Sequence, residues 1–187
     1  MKLKRIFMTV IAVSGCLTGY AQEARVEKSV WGVQAGSLLN ICGYNELRLT
    51  DAVALRSEIG IQGSFSYSYI SSFGSFTHYT ITPELVVEPR WYYNLAKRQA
   101  KGKFTTHNSG NYLSLRTSFC PEWPAIHDSG SRPVSSLYVI PMWGIRRHYG
   151  EHFSFEASAG IGYQHIFVGK GDDTPVIGWR LGIGYTF

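Results

Sequence analysis

Large apolar residues recur at every second position through most of the chain. In GWRLGIGYTF, Gly178 to Phe187, the residues Trp179, Leu181, Ile183, Tyr185 and Phe187 share one parity, while Gly178, Arg180, Gly182, Gly184 and Thr186 share the other. Successive side chains of a β-strand point to opposite faces, so this segment predicts one bulky apolar face and one small or polar face. Seven earlier segments repeat the pattern. Trp31 to Leu39 sets Trp31, Val33 and Ala35 against Gly32, Gln34 and Gly36, and Ile41 to Leu49 sets Leu47 and Leu49 against Tyr44, Glu46 and Arg48. Val53 to Tyr67 sets Leu55, Ile59 and Ile61 against Arg56, Glu58 and Gln62. Ile81 to Tyr93 sets Leu85, Val87 and Trp91 against Glu84, Glu88 and Arg90. Leu113 to Phe119, Leu137 to Arg146 and Phe153 to Gln164 complete the set. No segment shows a long helical period. Pro83, Pro89 and Pro141 fall inside these segments, where each removes a ladder donor.

Eight segments of about 9–11 residues fit tilted strands that cross a membrane, and eight is the smallest common strand number for an outer-membrane barrel. A soluble sandwich with its small face in water is the competing architecture. The charges on the second face separate the two. They are Glu46, Arg48, Arg56, Glu58, Glu84, Glu88, Arg90, Arg116, Arg146, Glu156 and Arg180: five glutamates, six arginines, no lysine and no aspartate. A solvated face would carry lysine as readily as arginine. Lysines stand instead in the connections and ends, at Lys28, Lys97, Lys101, Lys103 and Lys170. The planar, always-charged guanidinium suits enclosed pairing with carboxylates, and an eight-stranded barrel has an interior just wide enough for side chains to fill. The pattern therefore predicts an all-β, eight-stranded antiparallel up-and-down transmembrane β-barrel over 31–187, its lumen closed by an Arg/Glu network.

Net charge changes the picture only through the N-terminus. The chain carries 18 Lys+Arg against 13 Asp+Glu, a formal +5. Removing Lys2, Lys4 and Arg5 leaves 15 against 13, or +2, and nucleic acid is set aside as a partner. Those three cations precede the apolar stretch IFMTVIAVSGCLTG and the small-residue site Gly19-Tyr20-Ala21, which together read as a cleaved signal peptide over 1–21. Residues 22–30 are then a short segment before the barrel. Val13-Ser14-Gly15-Cys16 offers the alternative of acylation at Cys16. Cys42 and Cys120 remain in the mature chain, either as one disulfide or as two unpaired thiols, and their spacing is not that of a zinc site.

The terminal strand ending in Phe187, with Trp179, Leu181, Ile183 and Tyr185 before it, resembles the C-terminal signal by which bacterial outer-membrane proteins are recognised for assembly. The leader ending Tyr20-Ala21-Gln22 and the stretch EPRWYYNLAKRQAKGK, Glu88 to Lys103, resemble small outer-membrane β-barrels of Bacteroidetes of uncharacterised function. That resemblance implies the outer membrane of a Gram-negative cell, with outer-membrane lipid and the assembly machinery as partners. It further implies that both termini and the turns at Asp51, Lys97–Asn111 and Gly150 face the periplasm. The loops at Ser68–Tyr79, Cys120–Val134 and Gly169–Pro175 would face outwards.

Three function classes remain open on the residues. The leading one is a non-enzymatic barrel with a structural or surface-interaction role and an extracellular or cell-wall partner. The second is a lipid-modifying enzyme, for which Ser135 and His165 are the candidate dyad on the lipid-facing side near the outer rim. The third is a small channel for hydrophobic compounds, with Gly160, Gly162, Gly178, Gly182 and Gly184 leaving room inside. His148 and His152 straddle a predicted turn and do not form a metal pair, and nothing calls for a cofactor. The basic connection Lys97, Arg98, Lys101 and Lys103 reads either as a flexible solvated turn or as a contact with lipid heads or cell-wall polymer.

Overall fold

A computed structural model describes residues 24–70, 74–127, 133–168 and 172–187. The leader lies outside these residues, together with the cleavage site after Ala21 and the acylation alternative at Cys16. In chain order the elements are β1 (Ser29–Gly36), β2 (Asn40–Arg48), β3 (Val53–Ile70), β4 (Gly74–Trp91), helix α1 (Leu95–Gln99), β5 (Asn111–Cys120), β6 (Ile126–His127), β7 (Ser136–Tyr149), β8 (Phe153–Ile166) and β9 (Asp172–Thr186). Eight of the strands close on themselves in the order β1-β2-β3-β4-β5-β7-β8-β9, with β9 returning to β1 and every neighbour antiparallel. The two-residue β6 adds to the outer part of β4 beside the ring. Closure excludes the sandwich and gives the eight-stranded antiparallel barrel that the alternation predicts.

Register explains why the alternation is so legible. Residues that face each other across every ladder share parity, as in Glu46↔Arg56, Arg56↔Glu88, Arg146↔Glu156 and Gln34↔Gly184. Even-numbered residues therefore line the interior of all eight strands. Within those strands every exposed large apolar side chain has an odd number, from Trp31 through Leu85 and Trp143 to Tyr185. Tyr44 and Tyr112 are bulky uncharged side chains of the interior, and each has a glycine across the ladder. A Cβ on Gly32 would meet the Tyr44 hydroxyl at 2.5 Å, and one on Gly144 the Tyr112 ring at 2.3 Å.

The prolines cost one ladder each. Pro89 keeps its place opposite Leu55 of β3, but pairing with β5 lapses between Val87↔Thr117 and Arg90↔Ser114. Pro141 keeps its place opposite Leu115, and pairing with β8 lapses between Val139↔Tyr163 and Met142↔Gly160. The missing N–H removes a rung on one side only.

Several connections differ from the sequence expectation. The first strand ends at Gly36 rather than Leu39. Ser37–Leu39 form a 3-10 turn, with Leu39 at φ 58, that folds straight into β2. In the expected outward loop Ser68–Tyr79, residues 68–70 and 74–79 are strand, since β3 and β4 pair to Ile70↔Gly74. Serine, threonine and aromatics suit a strand as well as a loop, and composition misled the reading. The last loop is also shorter, because β9 starts at Asp172 and pairs through Pro175. Lys97–Asn111 is not a free turn: it starts within α1 and holds a 3-10 turn at Thr106–Asn108, and Asn111 already belongs to β5.

Candidate functional site: a charged lumen between a cap and a cavity

The interior holds stacked rings of arginine and glutamate. Arg56, Arg90, Arg146, Glu46, Glu88 and Glu156 are all buried to 2% exposure or less. Arg90 sits at the centre. One terminal nitrogen donates to Glu46 at 3.2 Å and Glu156 at 3.1 Å, and the other to Glu88 at 2.9 Å and Glu156 at 2.8 Å. Arg146 donates to Glu46 at 3.0 Å, and Arg56 reaches both Glu58 and Glu156. Towards the far end from the termini, Arg180 donates to Glu58 at 2.7 Å, while Arg116 bridges Glu58 and Glu84, both at 3.1 Å. Aromatic rings take up the guanidinium faces: Arg56 lies 3.8 Å above the Tyr44 centroid and Arg90 4.3 Å from that of Tyr112. These cations are thus both hydrogen-bonded at their edges and covered on one face.

Ten of the eleven charged residues read from the sequence join this network, five of each sign. Arg48 does not. It stands at the near end of β2, where its Nε is buried without a hydrogen-bond partner among the described residues, and no ion pair is formed by it there. The excess of one arginine in the sequence count disappears with it, and the lumen network is neutral. Gln34 is the uncharged member missed by counting charges. Its Oε1 accepts from Arg56 and, at 3.2 Å, from Arg180. Cys42 and Cys120 are both free and buried, so the disulfide alternative is not realised; Arg180 donates to the Cys42 thiol at 3.4 Å.

The near end is stoppered by residues that the sequence reading left in loops. Val26 and Leu95 pack with Ala54, Tyr92 and Tyr112 into a small apolar core. Asn108 is fully buried at φ 59, a left-handed backbone that asparagine tolerates, and its amide donates to Glu46 at 2.8 Å. Its carbonyl oxygen accepts from the Glu27 N–H at 2.8 Å, which ties the N-terminal segment to the connection. Tyr92 donates to the other Glu46 oxygen at 2.9 Å. The cap and the ion network thus share one carboxylate. Its only signals in the sequence are the isolated apolar Leu95 amid polar neighbours and the turn-forming Asn108-Ser109-Gly110.

Beyond Arg116 the lumen opens into a cavity of about 230 Å³. Glu84, Arg116 and Arg180 form its polar floor, and Ile140, Met142 and Gly178 an apolar side. Of the interior glycines expected to make room, Gly178 lines this cavity beside Ile140, while Gly182 and Gly184 are occupied by Gln34 and Ser154, which a Cβ would meet at 2.1 and 2.6 Å.

Ser135 and His165 each have another hydrogen-bond partner among the described residues. His165 stands opposite Leu137, while its Nδ1 meets Asp173 at 2.8 Å, a carboxylate that the sequence reading had not found for it. The Ser135 hydroxyl accepts from the Glu122 N–H at 3.1 Å. His148 and His152 both turn to Thr186, at 3.0 Å through its hydroxyl and 2.9 Å through its carbonyl, and among the described residues no cluster of three metal-ligating side chains occurs. Comparison of the chain with family models, curated proteins and solved structures returns no match.

Proposed function

We propose that this protein is an outer-membrane β-barrel of non-enzymatic, structural or surface-interaction function, whose lumen does not conduct. The observation that carries the proposal is the inversion of the usual soluble plan: charges buried in the middle, and a continuous apolar wall outside. Exposed aromatics collect in two bands on that wall. Trp31, Trp91, Tyr93, Trp143, Tyr149, Phe153 and Phe187 ring the near end, and Phe119, Tyr163 and Phe167 stand towards the far end. From Phe153 to Tyr163 along β8 is ten residues, ~33 Å of strand, which a tilt of ~40° reduces to ~25 Å, the height of a membrane-barrel apolar belt. Tyrosine and tryptophan favour the headgroup region because one end is apolar and the other can hydrogen-bond. Trp143 and Tyr93 do so with each other at 2.8 Å.

Against conduction stand the cap, the shared Glu46 and a neutral, internally paired plug. The remaining roles are assigned accordingly. The terminal residues Trp179 to Phe187 serve recognition by the assembly machinery, and the far-end hairpin of β3 and β4 is the part that a partner outside the cell reaches.

Fractionation and a gel-shift assay test the location: the mature chain is expected with the outer membrane, migrating differently before and after boiling. Recovery of a detergent-free soluble monomer refutes it. Planar-bilayer recording tests the plug, with no unitary conductance expected from the intact chain and a steady conductance refuting it. Deletion of Phe187 is expected to lower the folded fraction in cells.

A further inference from the structure

The barrel wall is uneven in height. The β1–β9 seam stops at Gly36↔Gly182, whereas β8 follows β9 out to Ile166↔Asp172. On the other flank β2 leaves β3 at Ile41↔Ile61, and β3 continues with β4 to Ile70↔Gly74. The short β1–β2 hairpin therefore leaves a notch between two taller walls. Among the described residues the edge of β9 from Asp172 to Leu181 has no ladder partner on that side. The lumen cavity borders this notch: Val176 and Ile177 line it from β9, and Ser37 and Asn40 from the hairpin tip.

The height of the notch gives it meaning. From Trp31, in the near-end aromatic band, to Gly36 is five residues, or ~13 Å along the barrel axis at a strand rise of ~3.3 Å and a tilt of ~40°. An apolar belt of ~25 Å extends about as far again beyond that point. The opening thus lies in the outward half of the belt, flanked by Ile41 and by Ile177, which is 77% exposed. The cavity behind it is apolar on its Ile140 and Met142 side and polar at its Arg116 and Glu84 floor. Gly178 borders it without a side chain of its own, and a Cβ there would already crowd Ile140, at 2.9 Å and 3.1 Å. Five arginines already balance five glutamates below, so an ionic head entering would disturb a neutral, desolvated network.

We propose that the cavity is a lateral binding site for a single-chain amphiphile of the outer leaflet, with an uncharged, hydroxyl-bearing head on the Arg116–Glu84 floor and its hydrocarbon tail leaving through the notch. The site rests on the membrane reading above for its source of ligand. Failure of that reading is scored separately by fractionation.

Parity supplies the test. The protein is placed in nanodiscs of diacyl phosphatidylcholine containing a monoacylglycerol with a diazirine next to the ester, and adducts are mapped by peptide sequencing. A lipid confined to the outside labels odd-numbered residues away from the cavity, such as Ile161 and Ile183. One that enters also labels Ile140 and Met142. Lumenal adducts are expected in the wild type, at least tenfold reduced in Gly178→Phe with outer labelling unchanged. The fatty acid with the same diazirine, at pH 8, is expected to give at least fivefold fewer lumenal adducts. Absence of lumenal adducts in the wild type overturns the site, whether or not Gly178→Phe folds. Persistence of those adducts in both Gly178→Phe and Met142→Trp also overturns it, and equal labelling by the fatty acid overturns the assignment of an uncharged head.

Discussion

Replacing Arg90 with leucine removes the cation at the centre of the plug. Arg90 is 1% exposed, and it alone bonds Glu46, Glu88 and Glu156 together. Its loss leaves five buried glutamates facing four arginines, with Glu88 retaining only Arg116 at 3.6 Å. Breaking a buried pair by removing one partner costs about 3–5 kcal/mol, because the remaining charge is desolvated and uncompensated. That corresponds to a fall of roughly two to three and a half decades in the folding constant at about 1.4 kcal/mol per decade. The physical argument concerns imbalance rather than lost contacts, so a second replacement discriminates. Arg90→Leu with Glu156→Leu restores four against four and removes the partner with the most Arg90 contacts. The double variant is expected to be at least about 2 kcal/mol more stable than the two single losses added together, since contacting charges couple non-additively. Reversible urea unfolding in phospholipid vesicles, followed by tryptophan fluorescence, measures all four corners of the cycle. A single-variant loss below about 1 kcal/mol, or strict additivity, refutes the reasoning, because either result means that water solvates these side chains and the network is not a plug.

Three other outcomes follow from particular contacts. Asn108→Leu strands the Glu27 N–H and leaves one Glu46 oxygen with Arg146 alone, and is expected to cost about 1–3 kcal/mol in the same assay; a change under about 0.5 kcal/mol separates the cap from the network. Pro141→Val returns a donor where the β7–β8 ladder lapses, and is expected to gain about 0.5–1.5 kcal/mol, with a loss counting against one-sided rung removal. Replacing Lys97, Arg98, Lys101 and Lys103 together with glutamine is expected to weaken binding of the folded protein to anionic vesicles, at about 1 kcal/mol per cation lying near the surface. Unchanged binding makes the exposed face of α1 and the following turn a solvated one.

The barrel was legible because its two faces differ in kind at every step. Trp179 beside Arg180, or Leu85 beside Glu84, leaves no doubt about which parity is which, and the absence of lysine among the inner charges points to enclosure. What escaped the sequence has a common physical origin: it depends on who stands opposite whom across distant elements. Arg48 has the same inward parity as Glu46 but lies one step too near the mouth to meet a carboxylate. Asn108 reads as a turn residue, and only the approach of Glu46 and Glu27 makes it a stopper. The height of the β1–β2 hairpin is set by a turn at Ser37–Leu39 whose residues, Ser-Leu-Leu, include no glycine, proline, asparagine or aspartate to announce it. The β3–β4 extension errs the other way: Ser64 to Tyr69 keeps the alternation, but Ser75, Phe76 and Thr77 reverse it on the returning strand.

A ladder in which every partner shares parity has a consequence for how such a gene can change. Inserting or deleting one codon inside a strand shifts all later residues of that strand to the opposite face, sending arginine and glutamate outwards and tryptophan or isoleucine inwards. No local rearrangement repairs this short of a bulge that absorbs the extra residue. In β3, which carries Arg56 and Glu58 through the middle of the plug, a one-residue slip would break pairs with Glu156, Arg116 and Arg180 at once. Length variation among descendants of this sequence is therefore expected at the hairpin tips, while the eight strands drift only by substitution within one face or the other.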